Sequence, residues 1–302
     1  MTAHPTADRS NWAATPERGS LSLLRFMTWC SLKFGRQATR LLLHPITIYF
    51  LLSSPKGRRA SRSYLEHALR RPVRWPDLYR HFLSFASTIH DRTYLINCRF
   101  DQFEFEIHGE HLLEQGNGLF LMGAHLGSFE AISAVGKKNA GLCVAMLMHE
   151  ANAQKINAAL LAINPQSDQE IIGLGNLDAM LKVEARLKDG YAVGVLADRT
   201  PGNEARHPVE ILNRTAQIPV GPFRMAALLK RPAIFMTGLY LGGNRYAIHF
   251  DRLADFSALK PGERDQAIKA AIMRYAELLD HYCKSAPYNW FNFFDFWQDS
   301  TE

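Results

Sequence analysis

A histidine that leaves an apolar run five residues ahead of a glutamate is the arrangement in this chain with the clearest chemical use. Leu119-Phe120-Leu121-Met122 leads through Gly123-Ala124 to His125, and Leu126-Gly127-Ser128-Phe129 separate it from Glu130. The run reads as a buried strand, and the pattern from Phe129 to Lys137 reads as a helix. An imidazole at a strand exit with a carboxylate nearby is a general-base arrangement. On one continuous helix, a five-residue offset turns two side chains ~140° apart. His125 and Glu130 can therefore meet only if His125 precedes the helix. Gly123 and Gly127 permit the turn this needs. Glu130 is then expected to accept the Nδ1 proton and leave Nε2 as the base. The competing reading is a histidine at a helix start beside a surface glutamate. Ser128 sits where a helix cap is expected.

Two further segments carry chemistry. Tyr191 to Thr200, YAVGVLADRT, is an apolar strand that ends in Asp198-Arg199. An arginine there can bind a phosphate or a carbonyl-derived oxyanion; an ordinary Asp-Arg surface pair gives the same spelling. Ile211 to Lys230 holds Gly221-Pro222 at a helix start, where free N–H groups could face an anion. Arg214 and Arg224 add charge nearby, although an ordinary loop with exposed arginines reads the same. Asn289 to Trp297, NWFNFFDFW, is six-ninths Phe or Trp. It either closes the core or lines an apolar groove. The chain lacks a Gly-x-Ser-x-Gly elbow, a Walker loop, a Gly-x-Gly-x-x-Gly after a strand and HExxH, so neither a covalent acyl-serine nor a nucleotide or zinc site is indicated.

The elements that must position these residues follow from the patterning. Apolar strand candidates are Leu119–Met122, Leu142–Leu147, Ile171-Ile172, Ala192–Ala197, Ala233–Leu239 and Tyr246–Phe250, with Phe103–Ile107 as a half-exposed strand. Helix candidates are Phe129–Lys137, Ala153–Ile163, Leu177–Lys188, Pro222–Leu229 and Arg264–Tyr282. Their alternation predicts an α/β fold with a mostly parallel central sheet flanked by helices. Helical patterning from Leu21 to His90 adds a basic amphipathic N-terminal layer. The expected organisation is a polar tail over residues 1–18, N-terminal helices over 19–100, and an α/β domain over 101–302 that forms one structural unit with them. With 302 residues, 47% hydrophobic and 21% charged, the chain can bury a substantial core. The four cysteines, Cys30, Cys98, Cys143 and Cys283, form no CxxC pair, which fits a reducing compartment without structural zinc.

Charge is unevenly placed. Residues 1–80 hold 14 Lys+Arg against 4 Asp+Glu, whereas the remainder holds 21 against 25. Such a basic arm implies an anionic partner. Arg25, Lys33, Arg36 and Arg40 interleave with Phe26, Trp29 and leucines, which favours a membrane surface over nucleic acid. The charge-free stretch Leu41–Pro55 falls short of the ~20 apolar residues a span requires. A helix lying at the interface is therefore the expectation, with a strained single span or a helix packed on the protein's own core as the alternatives.

The N-terminal basic-hydrophobic helix, GAHLGSFEA, LADR and the Gly221-Pro222-Phe223 segment together resemble the bacterial lipid A late acyltransferases, within the lysophospholipid acyltransferase superfamily. The resemblance runs from Trp12-Ala13-Ala14-Thr15-Pro16-Glu17-Arg18-Gly19-Ser20 to the end of the sheet. It implies transfer of a fatty acyl chain to a lipid hydroxyl, with an acyl thioester as co-substrate and no cofactor or metal. It also implies acyl carrier protein (or coenzyme A) as donor partner and a location at the cytoplasmic face of the bacterial inner membrane. His125 takes the role of base and Glu130 that of orienting carboxylate. Asp198, Arg199, Gly127, Ser128, Arg214 and Arg224 are the expected substrate-binding residues. Backbone N–H groups around Gly123–Gly127, together with Arg199, are the expected oxyanion donors. Met148-His149-Glu150-Ala151-Asn152-Ala153 departs from the Arg-Pro and Asn-Pro-Leu segment of lipid A members. Two other functions share these features: a lipid ester or thioester hydrolase, and a non-catalytic lipid-surface binding protein.

Overall fold

The computed structural model describes residues 21–114, 118–136, 143–166, 169–175, 177–199, 204–260 and 262–297. The proposed polar tail over 1–18 lies outside them. Five helices come first: α1 (Leu21–Phe34), α2 (Arg36–Arg40), α3 (Leu43–Ser53), α4 (Pro55–Leu69) and α5 (Trp75–Ile96). They are followed by β1 (Glu104–His108), β2 (Leu119–Gly127), α6 (Phe129–Val135), β3 (Val144–His149), α7 (Glu150–Ile163), β4 (Glu170–Leu174), α8 (Leu177–Lys188) and β5 (Ala192–Leu196). The chain closes with β6 (Arg206–Ile211), β7 (Arg214–Pro219), α9 (Gly221–Leu228), β8 (Pro232–Gly242), β9 (Arg245–Asp255) and α10 (Arg264–Ser285).

Seven strands form one sheet in the order β1-β9-β8-β2-β5-β3-β4. All neighbours are parallel except β8 and β9, which are antiparallel. This is the mostly parallel α/β fold that the alternating pattern implies. Such strands are covered on both faces and read as unbroken apolar runs. In β2, Phe120, Met122, Ala124 and Leu126 face one core cluster while Leu119 and Leu121 face another. β2 lies in the middle of the sheet, with β5 and β8 on either side. Ligands in open α/β sheets bind beyond the carboxyl ends of such strands.

The strand β2 continues past Met122 to Gly127, with a register shift against β8 between Gly123 and Gly127. His125 therefore sits inside an irregular strand end, not in a loop after it. Gly127 adopts a φ of 78°, and a Cβ there would lie 2.0 Å from the Gly238 carbonyl oxygen. Only glycine fits.

The hairpin β6–β7 was not expected. Its two-residue turn is Leu212-Asn213, with φ of 55° and 60°. That geometry normally calls for Asn-Gly or Asp-Gly, and Pro208 inside β6 further disguises the strand.

The helical patterning that begins at Leu21 is broken into separate helices. Gly35, at φ 82°, separates α1 from α2, and a turn at Leu41-Leu42 precedes α3. Two of its four interleaved cations turn inward. Arg36 forms a two-pronged pair with Asp91 of α5, at 2.8 and 2.9 Å, and Arg40 lies 3.7 Å from the same carboxylate. The Tyr246 hydroxyl of β9 donates to Asp91 at 2.8 Å. The side chain of Asp91 is fully buried. Burial alone would raise its pKa, but the neighbouring His90, Arg36 and Tyr246 hold it below the ordinary carboxylate value. The cluster ties α2 and α5 to the sheet. Removing one partner of such a pair strands the other, so Asp91→Ala should cost about 3–5 kcal/mol of unfolding free energy. Denaturant titration checks this; an unchanged midpoint would mean the cluster adds nothing.

Candidate active site

His125 Nδ1 lies 2.8 Å from Asp198 Oδ1. Asp198 follows β5, the neighbour of β2, so two adjacent strand ends bring together residues 73 apart in sequence. The other carboxylate oxygen, Oδ2, accepts the His125 backbone N–H at 3.2 Å and the Trp290 indole N–H at 3.2 Å. The Asp198 side chain is fully buried, whereas that of His125 is 30% exposed. The imidazole thus has Nδ1 against a buried acid, while the side chain as a whole remains partly exposed.

Electrostatics set the protonation states. Burial acts to raise the Asp198 pKa, but His125, through its ring and its backbone N–H, and Arg199 hold it far below the ordinary carboxylate range. Burial lowers the His125 pKa, and Arg199 lowers it further, while Asp198 works in the opposite direction. The net shift is downward, so at neutral pH the ring is uncharged. An ionised carboxylate can only accept, so Nδ1 carries the proton and Nε2 keeps its lone pair. That is the state a general base requires.

Glu130 does not make the expected contact. Its carboxylate pairs with Arg92 Nε of α5 at 2.7 Å, and the Ser128 hydroxyl donates to it at 3.3 Å. Asp198 occupies the Nδ1 side of the ring instead. Glu130 lies in the first turn of α6, where a negative charge complements the helix dipole. Its ion pair pins that turn to α5.

Ser128 is the cap of α6; its hydroxyl oxygen accepts the Ala131 N–H at 3.2 Å. The backbone N–H groups expected to serve an oxyanion are largely committed: His125 N–H to Asp198, Gly127 N–H to the Asn289 carbonyl at 2.9 Å, and Ser128 N–H to the Gly238 carbonyl at 2.8 Å. Arg199 stays beside the pair, with its guanidinium over the Phe294 ring at 5.1 Å. Burial lowers its pKa and Asp198 opposes that shift.

Arg214 and Arg224 are not brought to His125. Arg214 donates to the Ser63 hydroxyl at 3.4 Å and lies over Trp297 at 4.9 Å. Arg224 is exposed on α9. At the start of α9, a Cβ on Gly221 would lie 3.2 Å from Glu204 Oε2. The protein's own Glu204 carboxylate thus lies beside the start of α9.

The C-terminal aromatic segment belongs to the core, and it also flanks the site. Trp290 is fully buried, with Phe291 and Trp297 nearly so. The segment runs antiparallel to the end of β2: Leu126 and Trp290 form a bridge, and the Phe291 N–H donates to the His125 carbonyl at 2.8 Å. Sequence reasoning missed Trp290 as a neighbour of Asp198 and Arg92 as the partner of Glu130. Neither has a local signal, because both contacts join segments far apart in the chain.

The profile of the bacterial lipid A biosynthesis acyltransferases matches residues 84–299, which spans both members of the His125–Asp198 pair. The chain belongs to that family. It is therefore an acyltransferase of lipid biosynthesis, with a lipid acceptor and an acyl donor as substrates. Among solved structures, it is similar to the 1-acyl-sn-glycerophosphate (LPA) acyltransferase PlsC from Thermotoga maritima, at 12% identity and a TM-score of 0.41, covering 84% of this chain and 98% of that one. No curated protein sequence matches.

Proposed function

We propose that this acyltransferase works at a membrane surface and moves a fatty acyl chain from a thioester to a lipid hydroxyl by His125 general-base catalysis. His125 Nε2 takes the acceptor's hydroxyl proton, and Asp198 stabilises the imidazolium that forms. The alkoxide oxygen attacks the thioester carbonyl carbon. The resulting tetrahedral oxyanion is met by Arg199. On collapse, the C–S bond breaks, the thiolate recovers the proton from His125, and the new ester leaves. The observation that carries this reading is a partly exposed imidazole held through Nδ1 by a fully buried, ionised carboxylate. The donor is an acyl carrier protein thioester, whose acidic body suits the basic N-terminal region; coenzyme A is the alternative carrier.

Product identity tests this reading. Purified protein given radiolabelled acyl carrier protein thioester and a lipid extract should move label into a lipid ester. Label released only as free fatty acid would instead identify a hydrolase. No turnover of any thioester would leave a lipid-surface binding protein.

Membrane association rests on the surface. Thirteen of the eighteen exposed large hydrophobic side chains among the described residues fall between Phe26 and Ile89. They include Trp29 at 52%, Leu41 at 70%, Tyr49 at 60% and Leu52 at 63% exposure. Arg25 and Lys33 remain exposed among them, as do Lys56, Arg59 and Arg62 on α4. Among the described residues, no helix is long and apolar enough to cross a membrane. The proposed arrangement is therefore a helical layer lying in the headgroup region, at the cytoplasmic face of the bacterial inner membrane. Burying one large apolar side chain is worth about 1.5–3 kcal/mol. Trp29→Glu and Leu52→Glu should accordingly each weaken partition into phosphatidylglycerol vesicles by roughly 10-fold or more. Unaltered flotation with both changes present would remove this face from the membrane.

A further inference from the structure

We infer that Trp290 is a positioning residue for the reaction: its indole N–H, with the backbone it carries, fixes the Asp198 carboxylate and the His125 strand end relative to each other. The inference rests on His125 acting as general base. Asp198 Oδ1 faces the imidazole at 2.8 Å, while Oδ2 accepts from the His125 backbone N–H and from Trp290 Nε1, each at 3.2 Å. The indole therefore determines which oxygen turns to the ring. Its main chain brackets the same strand end. The Asn289 carbonyl accepts the Gly127 N–H at 2.9 Å, and the Phe291 N–H donates to the His125 carbonyl at 2.8 Å. Asn289 itself is held on both edges by the Tyr240 main chain, at 2.7 and 3.2 Å.

The indole is clamped in turn. Its ring is fully buried, with Tyr64 and Phe296 edge-on at centroid separations of 5.1 and 4.8 Å. The Trp290 carbonyl meets His81 Nε2 at 2.9 Å, and the Ser61 hydroxyl meets His81 Nδ1 at 2.7 Å. Burial lowers the His81 pKa to about 4, so this histidine is neutral. With the carbonyl able only to accept, Nε2 carries the hydrogen and the Ser61 hydroxyl donates to Nδ1. Ser61 of α4 and His81 of α5 thus lock Trp290 onto the sheet. Tryptophan is the side chain that fills this volume and also presents an indole N–H to the acid; a phenylalanine would fill most of the volume and leave Oδ2 with one donor fewer.

The indole hydrogen bond also tunes the pair. It spreads charge away from Oδ1, which weakens the support Asp198 gives an imidazolium. Removing it should raise the His125 pKa and move the acid limb of the kcat/KM profile to higher pH. The test replaces Trp290 in the full-length protein with benzothienylalanine, which keeps the bicyclic shape but has sulfur in place of N–H, alongside Trp290→Phe. For both, the expected result is a roughly 10-fold fall in kcat, as expected when a catalytic group is held less well, with the acid limb shifted upward by about half a pH unit. Trp297→Phe is the comparison, since it loosens packing on Trp290 without touching Asp198; it should lower the unfolding temperature and leave the limb in place. A benzothienylalanine variant with wild-type kcat and an unmoved limb would overturn the inference, whatever happens to the stability of Trp290→Phe. His125→Ala in the same assay separates the two claims. If it stays active, the base assignment fails; if it is dead while the Trp290 variants behave as wild type, only the role of Trp290 fails.

Discussion

His125→Ala should lower kcat/KM for acyl transfer by about 10²–10⁴-fold, the usual contribution of a positioned general base, and should leave a folded protein. Both halves follow from the geometry. Nε2 carries the only ring lone pair that can take a proton, and among the described residues no second imidazole is paired with Asp198. The side chain is 30% exposed and contributes little to the core. After its removal, the Asp198 carboxylate keeps two donors, the His125-position backbone N–H and the Trp290 indole. A buried acid that is still doubly hydrogen-bonded does not unfold a domain. Steady-state acyl transfer together with a thermal melt checks this prediction. Activity above about a tenth of wild type would reject His125 as the base.

Asp198→Asn is the second large effect, and the direction of the swap is fixed by what surrounds the acid. The Oδ2 position receives two N–H donors, so the amide must place its oxygen there. Its NH₂ then points at His125 Nδ1. A donor facing Nδ1 forces that nitrogen to accept, so the ring's hydrogen moves to Nε2 and the base is lost. The equivalent tautomer error in an acid–histidine pair costs about 10⁴-fold. The substitution also removes the charge that supports the imidazolium, so any residual activity should have an acid limb below that of wild type. The wild-type limb itself should lie below 6.5, because the His125 pKa is lowered by burial. Activity is then full above that pKa and falls as the pH drops through it. A wild-type limb well above 7 would contradict the electrostatics of the site.

These two residues also mark how far the sequence could be read. The sheet was legible because strands buried on both faces spell out apolar runs, and helices between them carry the longer period. Leu119–Met122, Ala192–Leu196 and Ala233–Leu239 are strands for that reason. His125 was legible because its local context is unusual. The partner of His125 was not. Spacing offered Glu130, five residues away, but the side chain beside Nδ1 comes from the next strand, 73 residues on. A strand end reports that it carries an aspartate, not which histidine the sheet order puts next to it. The β6–β7 hairpin was hidden because Leu212-Asn213 supplies positive φ without glycine. Arg36 and Arg40 read as part of a basic outer face, yet Asp91 draws them inward. A solvated cation and a buried one have the same letter, and only the position of the countercharge separates them.

The measurement that bears most directly on the account ranks the two acids. Asp198→Asn and Glu130→Gln are compared by kcat/KM for acyl transfer from carrier-protein thioester, both proteins being shown folded. The His125–Asp198 contact predicts a loss of at least ~100-fold for Asp198→Asn. Glu130→Gln, which keeps a side-chain oxygen for Arg92, should stay within about 10-fold of wild type. The reverse order, with Glu130→Gln dead and Asp198→Asn active, would contradict the account.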